Sequence, residues 1–173
     1  MALTRDAIVD AAEAILDEYG LADLSMRRVA DLLGVQAGAL YYHLPNKQTL
    51  LAAVADGILG AMGQADTLQG WATEYRRLLL GRRDAAELVA STRAMGLGEV
   101  DPTAPARGLV PTERAGDVLA TFEHFVLGAT LHDQTQAQLG ALGVVRGFDE
   151  AAAEATFQEG LRILSRGVGI FTT

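Results

Sequence analysis

The segment Ser25-Met-Arg-Arg-Val-Ala-Asp-Leu-Leu-Gly34-Val-Gln-Ala-Gly-Ala-Leu-Tyr41-Tyr42-His43 constrains this chain more than any other. Met26, Val29, Ala30 and Leu33 recur at helical spacing and line one face, with Ser25 placed to cap the first turn. Gly34 stops that helix, because glycine enters a left-handed turn without steric cost. A second short helix is expected from about Gln36 to His43, and Pro45 prevents its continuation. Two short helices joined by a glycine turn make a helix-turn-helix, whose second helix enters the major groove of DNA. Val35 and Leu40 anchor that helix from below. Its outer face is small at Ala37, Gly38 and Ala39, which permits close approach. Tyr41, Tyr42 and His43 then offer hydroxyl and ring contacts to phosphates and bases. Lys47 falls in the first turn of the next helix, where its ammonium and the helix's own amides can address one phosphate. The competing reading is that Tyr41 and Tyr42 pack between helices.

Helical periodicity runs through the rest of the chain, and no segment reads as a strand. Ile8, Ala12, Ile15, Leu16 and Tyr19 share the apolar face of a first helix that Gly20 ends. Asn46 can cap a fourth helix carrying Leu50, Leu51, Val54, Ile58 and Met62. Residues 71–81 and 84–95 read as two further helices. Residues 96–111 hold three of the four prolines and read as loop, partly disordered or with one short helix. Two long helices follow, at about 112–142 and 149–171. The last carries two stripes, Phe157-Leu161-Leu164-Val168-Phe171 and Gly160-Ile163-Gly167-Ile170. The paired glycines suggest a second backbone approaching closely, with packing inside one chain as the alternative. The fold class is therefore all-α.

The formal net charge is -8, which argues at first sight against nucleic acid. Its distribution matters more. Residues 25–50 carry Arg27, Arg28 and Lys47, the only lysine, against Asp31 alone. Residues 1–24 carry Arg5 against Asp6, Asp10, Glu13, Asp17, Glu18 and Asp23. There is no cysteine, hence no disulfide or thiolate chemistry. No apolar run is long enough for a membrane span and the N-terminus lacks signal-peptide character, so a soluble cytoplasmic protein is expected. None of H-E-x-x-H, G-x-S-x-G or a P-loop occurs, so an enzyme is not expected. The remaining rival is a helical partner-binding or ligand-carrier protein without DNA binding.

Residues 3–62 resemble the DNA-binding domain of the TetR family of transcriptional regulators, most specifically at Leu40-Tyr41-Tyr42-His43-Leu44-Pro45-Asn46-Lys47 with Leu50-Leu51. The resemblance implies DNA contacts from Arg27, from Gln36, Ala37, Gly38 and Ala39, and from Tyr41, Tyr42, His43 and Lys47. It implies a helix-turn-helix domain over residues 1–47 and a helical ligand-binding and dimerisation domain over 48–173. Ala37, Gly38 and Ala39 depart from the polar side chains of the tetracycline-repressor branch, so base readout would rest on Gln36, Arg27 and the tyrosines.

The likeness to that branch continues in Arg83-Asp84-Ala85-Ala86 with Thr92-Arg93, and in His124-Phe125-Val126-Leu127-Gly128 with Leu131-His132-Asp133-Gln134. It implies a small-molecule inducer site drawn from Trp71, Tyr75, Val89, Thr92, Phe122, Phe125 and His132. The branch's magnesium-ligating histidine and glutamate fall on Val89 and His132. Valine has no lone pair and histidine is a poor magnesium ligand, so a more apolar inducer without metal or other cofactor is expected. From residue pattern alone, Trp71, Tyr75 and His132 could equally be core. His124 and His132, about 12 Å apart along a helix, cannot share one metal. A homodimer on a pseudo-palindromic operator, released by its inducer, completes the expectation.

Overall fold

Thr4, Ser25, Asn46 and Asp149 sit in extended backbone, and each side chain accepts an amide N–H of the helix that follows. These caps set where the helices begin. The computed structural model describes residues 3–169, and every regular element among them is helical. In chain order they are α1 (Arg5–Tyr19), α2 (Met26–Leu33), α3 (Ala37–Leu40), α4 (Lys47–Leu59), α5 (Leu68–Leu80), α6 (Ala85–Ala94), α7 (Ala115–Ala141) and α8 (Glu150–Gly167). Short 3-10 turns occupy Leu21–Asp23, Ala104–Leu109 and Thr112–Arg114. The chain divides into two compact units. The first is the chain up to Ala61 with Leu79–Asp101, and the second is Met62–Leu78 with the chain from Pro102 onward.

In the first unit α1 packs on α2 and α4, α2 on α3, and α4 on α6. Ile8, Ala12, Ile15 and Leu16 meet the apolar faces of α2 and α4 in a core that excludes water at Val29, Leu50 and Val54. Gly34 takes the left-handed conformation (φ 67°), and Val35 N–H bonds back to Ala30 O at 3.0 Å, closing the end of α2. The helix expected over 36–43 is cut short at Leu40. His43 and Leu44 N–H groups both reach Leu40 O, at 3.0 and 2.9 Å, and the chain turns because Pro45 disfavours helical backbone at Leu44. Met62, expected on α4, falls beyond its end at Leu59. Tyr19 is also displaced from the expected core: it is 42% exposed, beneath the Arg28 guanidinium. The turn between α5 and α6 grips α1. Arg82 pairs with Glu13 at 2.7 Å and Asp17 at 2.8 Å, and Asp84 accepts Leu21 N–H at 2.8 Å.

In the second unit Trp71, Tyr75, Phe122, Val126, Phe157 and Leu161 are buried. Arg76 is buried among them, with Nη2 on Asp133 at 2.9 Å, Nε on Glu154 at 3.1 Å and its guanidinium 4.5 Å over the Phe157 ring. Such a buried charge is tolerated only when paired. The 96–111 stretch contains one 3-10 turn that buries Ala106, and Thr112–Arg114 is 3-10 where α7 was expected to have begun. Gly160 is a socket for a side chain of the same chain: a Cβ there would collide with the Phe125 ring. Nothing lies within 4 Å of the Cβ position at Gly167. The close approach read from the paired glycines is thus an intrachain ring contact at the first of them. Ile170 and Phe171, the last residues of the two stripes, lie outside the described residues. No helix among the described residues is long and apolar enough to cross a membrane.

Candidate functional site

The sequence-assigned DNA-contacting residues run along α2, the turn, α3 and the start of α4, and all belong to the first unit. Leu40 and Leu44 are buried, at 0% and 3% exposure, and they pin the backbone on either side of Tyr41-Tyr42-His43. Tyr42 is 93% exposed and Tyr41 49%, so Tyr42 does not pack between helices of its own chain. That aromatic surface adds nothing to the chain's own core, so it is open to a partner outside the chain. His43 and Gln36 are exposed as well. Gly38 is exposed with no heavy atom within 4 Å of its Cβ position, so the outer face of α3 is bare. Ala37 and Ala39 beside it are half-buried.

The two adjacent arginines of α2 divide. Arg28 pairs with Asp23 and lies 3.9 Å over the Tyr19 ring. Arg27 is almost fully exposed, with only Asp31 at 3.9 Å. Lys47 opens α4, where Asn46 accepts Thr49 N–H at 2.9 Å and Thr49 Oγ1 accepts Asn46 N–H at 3.2 Å. This reciprocal cap fixes the helix start that carries the lysine. Asn46 was legible in the sequence. Thr49 was not, because the usual partner in that position is Glu or Gln.

The residues assigned to an inducer divide between the units. Val89 and Thr92 are in the first, both buried, and the Thr92 hydroxyl donates within its own helix to the Leu88 and Val89 carbonyls at 3.0 Å each. Trp71, Tyr75 and Phe122 are in the second and are 0% exposed. Trp71 and Tyr75 meet at 5.8 Å between ring centroids, and Trp71 Nε1 donates to Pro102 O at 2.7 Å. Phe125 stacks on Phe157 at 5.3 Å. Phe125 and His132 line an open groove of about 400 Å³ along α7, the 143–149 connection and α8, together with Asp133, Arg146, Phe148 and Phe157. His132 is not enclosed by aromatics; its side chain is 68% exposed, with Nδ1 3.3 Å from Asp133 Oδ1. Arg146 and Phe148 were missed from sequence because they lie in a glycine-rich connection with no periodicity.

Residues 8–54 match the family described as "Bacterial regulatory proteins, tetR family". Over 96% of its length the chain is 34% identical to the tetracycline repressor protein class A from transposon 1721 of Escherichia coli, covering 90% of that protein. Its fold matches the crystal structure of Mycobacterium smegmatis BioQ with a TM-score of 0.82, at 35% identity over 96% of this chain and 98% of that one. It also matches BioQ bound to its natural double-stranded DNA operator, with a TM-score of 0.80 and 33% identity over 98% of this chain and the whole of that one.

Proposed function

The chain belongs to the TetR family of bacterial regulatory proteins and is a DNA-binding transcriptional repressor, not an enzyme; from that premise we propose that it works as an inducer-released homodimer. Residues 1–47 form the DNA-binding head and residues 48–173 the ligand-binding and dimerisation domain. Each protomer presents Arg27, Gln36, Ala37, Gly38, Ala39, Tyr41, Tyr42, His43 and Lys47 to one half of a pseudo-palindromic operator, with the two heads about 34–36 Å apart. The observation that carries this is Tyr42, 93% exposed between two buried leucines. Lys47 and Arg27 supply phosphate contacts, Arg27 in addition to its share of base readout with Gln36 and the tyrosines, and the bare surface at Gly38 lets the helix sit deep in the groove. Ile163 on α8, 59% exposed while Phe157 and Leu161 face inward, supports a two-fold interface through α8 with α7 alongside. A repressor of this kind acts in the cytoplasm, where its operator lies.

The ligand is a small molecule bound without magnesium, drawn from the set Trp71, Tyr75, Val89, Thr92, Phe122, Phe125 and His132. Val89 offers no donor atom, and the open volume at Phe125 and His132 sets Phe148 and Phe157 beside Asp133 and Arg146. Binding shifts α4 and separates the heads, which requires the ligand to prefer the DNA-incompetent state. Tight magnesium-dependent binding of tetracycline would overturn the metal-free reading. Equal ligand affinity for free and operator-bound protein would overturn the induction reading.

The test is fluorescence anisotropy against the chain's own upstream intergenic DNA at several salt concentrations. We expect saturable binding that weakens steeply with salt, is absent on scrambled DNA, and falls in Lys47→Ala with Tyr41→Ala. A folded protein with no specific binding to that fragment, with or without candidate ligands removed by dialysis, would refute the assignment.

A further inference from the structure

Only two residues of α4 are charged, Lys47 at its first position and Asp56 in its third turn. The Asp56 carboxylate holds main chain. Its Oδ1 accepts the N–H of Glu99 at 3.0 Å and of Val100 at 2.9 Å, and its Oδ2 accepts Glu99 N–H at 3.0 Å. Gly98 lies against the same carboxylate, where a Cβ would stand 3.0 Å from Oδ1. The backbone that leaves α6 is therefore wrapped around one acid of α4. Hydrogen bonds to an ionised acceptor are about twice as strong as neutral ones.

We propose that Asp56 is a positioning residue for DNA binding, the carboxylate that fixes α4, and through it Lys47, on the backbone at residues 99–100. This rests on the reading that Lys47 contacts operator phosphate. Between the two charges α4 is a continuous helix with Leu50, Leu51 and Val54 buried. The nine residues from Lys47 to Asp56 span about 14 Å along the axis. A slip at the carboxylate therefore displaces the lysine, whose phosphate contact tolerates little. A side chain that merely stabilised the fold would lower the folded fraction and leave the affinity of the folded molecules alone.

The experiment compares Asp56→Ala, Asp56→Asn, Lys47→Ala and the Asp56→Ala/Lys47→Ala double variant, at a temperature where circular dichroism shows each folded. Operator affinity is read by anisotropy and the Glu99 and Val100 amides by hydrogen exchange. Asp56→Ala should expose both amides and weaken operator binding about tenfold, the scale set by losing hydrogen bonds to a charged group. Asp56→Asn, which keeps one acceptor oxygen, should lose less and stands in should the alanine variant not fold. The double variant should lose less than the product of the single losses, since both act through one helix. Released amides with wild-type operator affinity would overturn the proposal, as would fully independent losses in the double variant. Wild-type affinity in Lys47→Ala would refute the phosphate contact instead, and Asp56→Ala alone would then decide for Asp56.

Discussion

Two pairs of adjacent arginines, Arg27-Arg28 in the first unit and Arg76-Arg77 in the second, are each split into one inward and one outward side chain. The inward members share their kinds of partner but not their burial: Arg28 lies over Tyr19 with a carboxylate partner and its side chain 38% exposed, and Arg76 over Phe157 with carboxylate partners and its side chain 4% exposed. Outward, they differ. Arg77 is held by Glu74 through two hydrogen bonds of 2.7 Å, whereas Arg27 has one distant carboxylate at 3.9 Å. Arg77 is neutralised by its neighbour, and Arg27 is left available. That difference, invisible in a net charge of -8, is what a phosphate-binding surface needs.

The largest effect expected from this contrast is at Arg76. Arg76→Ala removes the guanidinium from Asp133, a residue 9% exposed with His132 Nδ1 still beside it at 3.3 Å, and breaking a buried pair from one side costs about 3–5 kcal/mol. Thermal unfolding should show a fall of roughly 10 °C, at about 2–4 °C per kcal/mol for a chain this long. Near-wild-type melting would mean the inward arginines are not structural, and the comparison would fail on that side. At Arg27 and Arg28 the effects should separate. Arg27→Ala should leave stability within about 0.5 kcal/mol and reduce the salt slope of operator binding by about 1. Arg28→Ala should lose about 0.5–1 kcal/mol of stability with the Tyr19 stack, and leave that slope unchanged. Salt titration and urea unfolding of both variants would expose an exchange of these roles.

The head was legible because local rules decide it. Ser25, Gly34, Pro45 and Asn46 each act on the few residues beside them, so α2, the turn and the start of α4 could be read without tertiary knowledge. Even there, the length of α3 was overestimated, since Pro45 acts through Leu44 and ends the helix earlier than apolar spacing suggests. Which of Arg27 and Arg28 faces solvent was not fully determined by spacing, because Tyr19 and Asp23 come from a different helix and a turn. In the second unit the governing contacts are long-range. Arg76 meets Asp133 and Glu154 across 57 and 78 residues, and no period in the sequence marks that. Gly160 read as a place for another backbone because a missing side chain does not say what fills it; the Phe125 ring does.

The smallest expected effect tests the outward half of the comparison. The hydrogen bonds from Arg77 hold the Glu74 carboxyl below its ordinary 4.5, with burial opposing them. A depressed acid contributes stability that is present above its unfolded value and lost as pH falls through the folded one, so the contribution should fade only below about pH 4.5. Both side chains are substantially exposed, at 65% for Arg77 and 35% for Glu74, and water screens such a pair. Glu74→Gln should therefore melt within about 1 °C of wild type at pH 7, with the difference vanishing at more acidic pH. The same variant frees the Arg77 guanidinium. If an exposed arginine were sufficient for DNA contact, operator affinity would rise and its salt slope would steepen. We expect both to stay unchanged, because the proposed DNA-contacting surface, with Tyr42 and Lys47, lies on the head and not on α5. A steeper slope in Glu74→Gln would extend the DNA-contacting surface to α5 and end the distinction between the two arginine pairs.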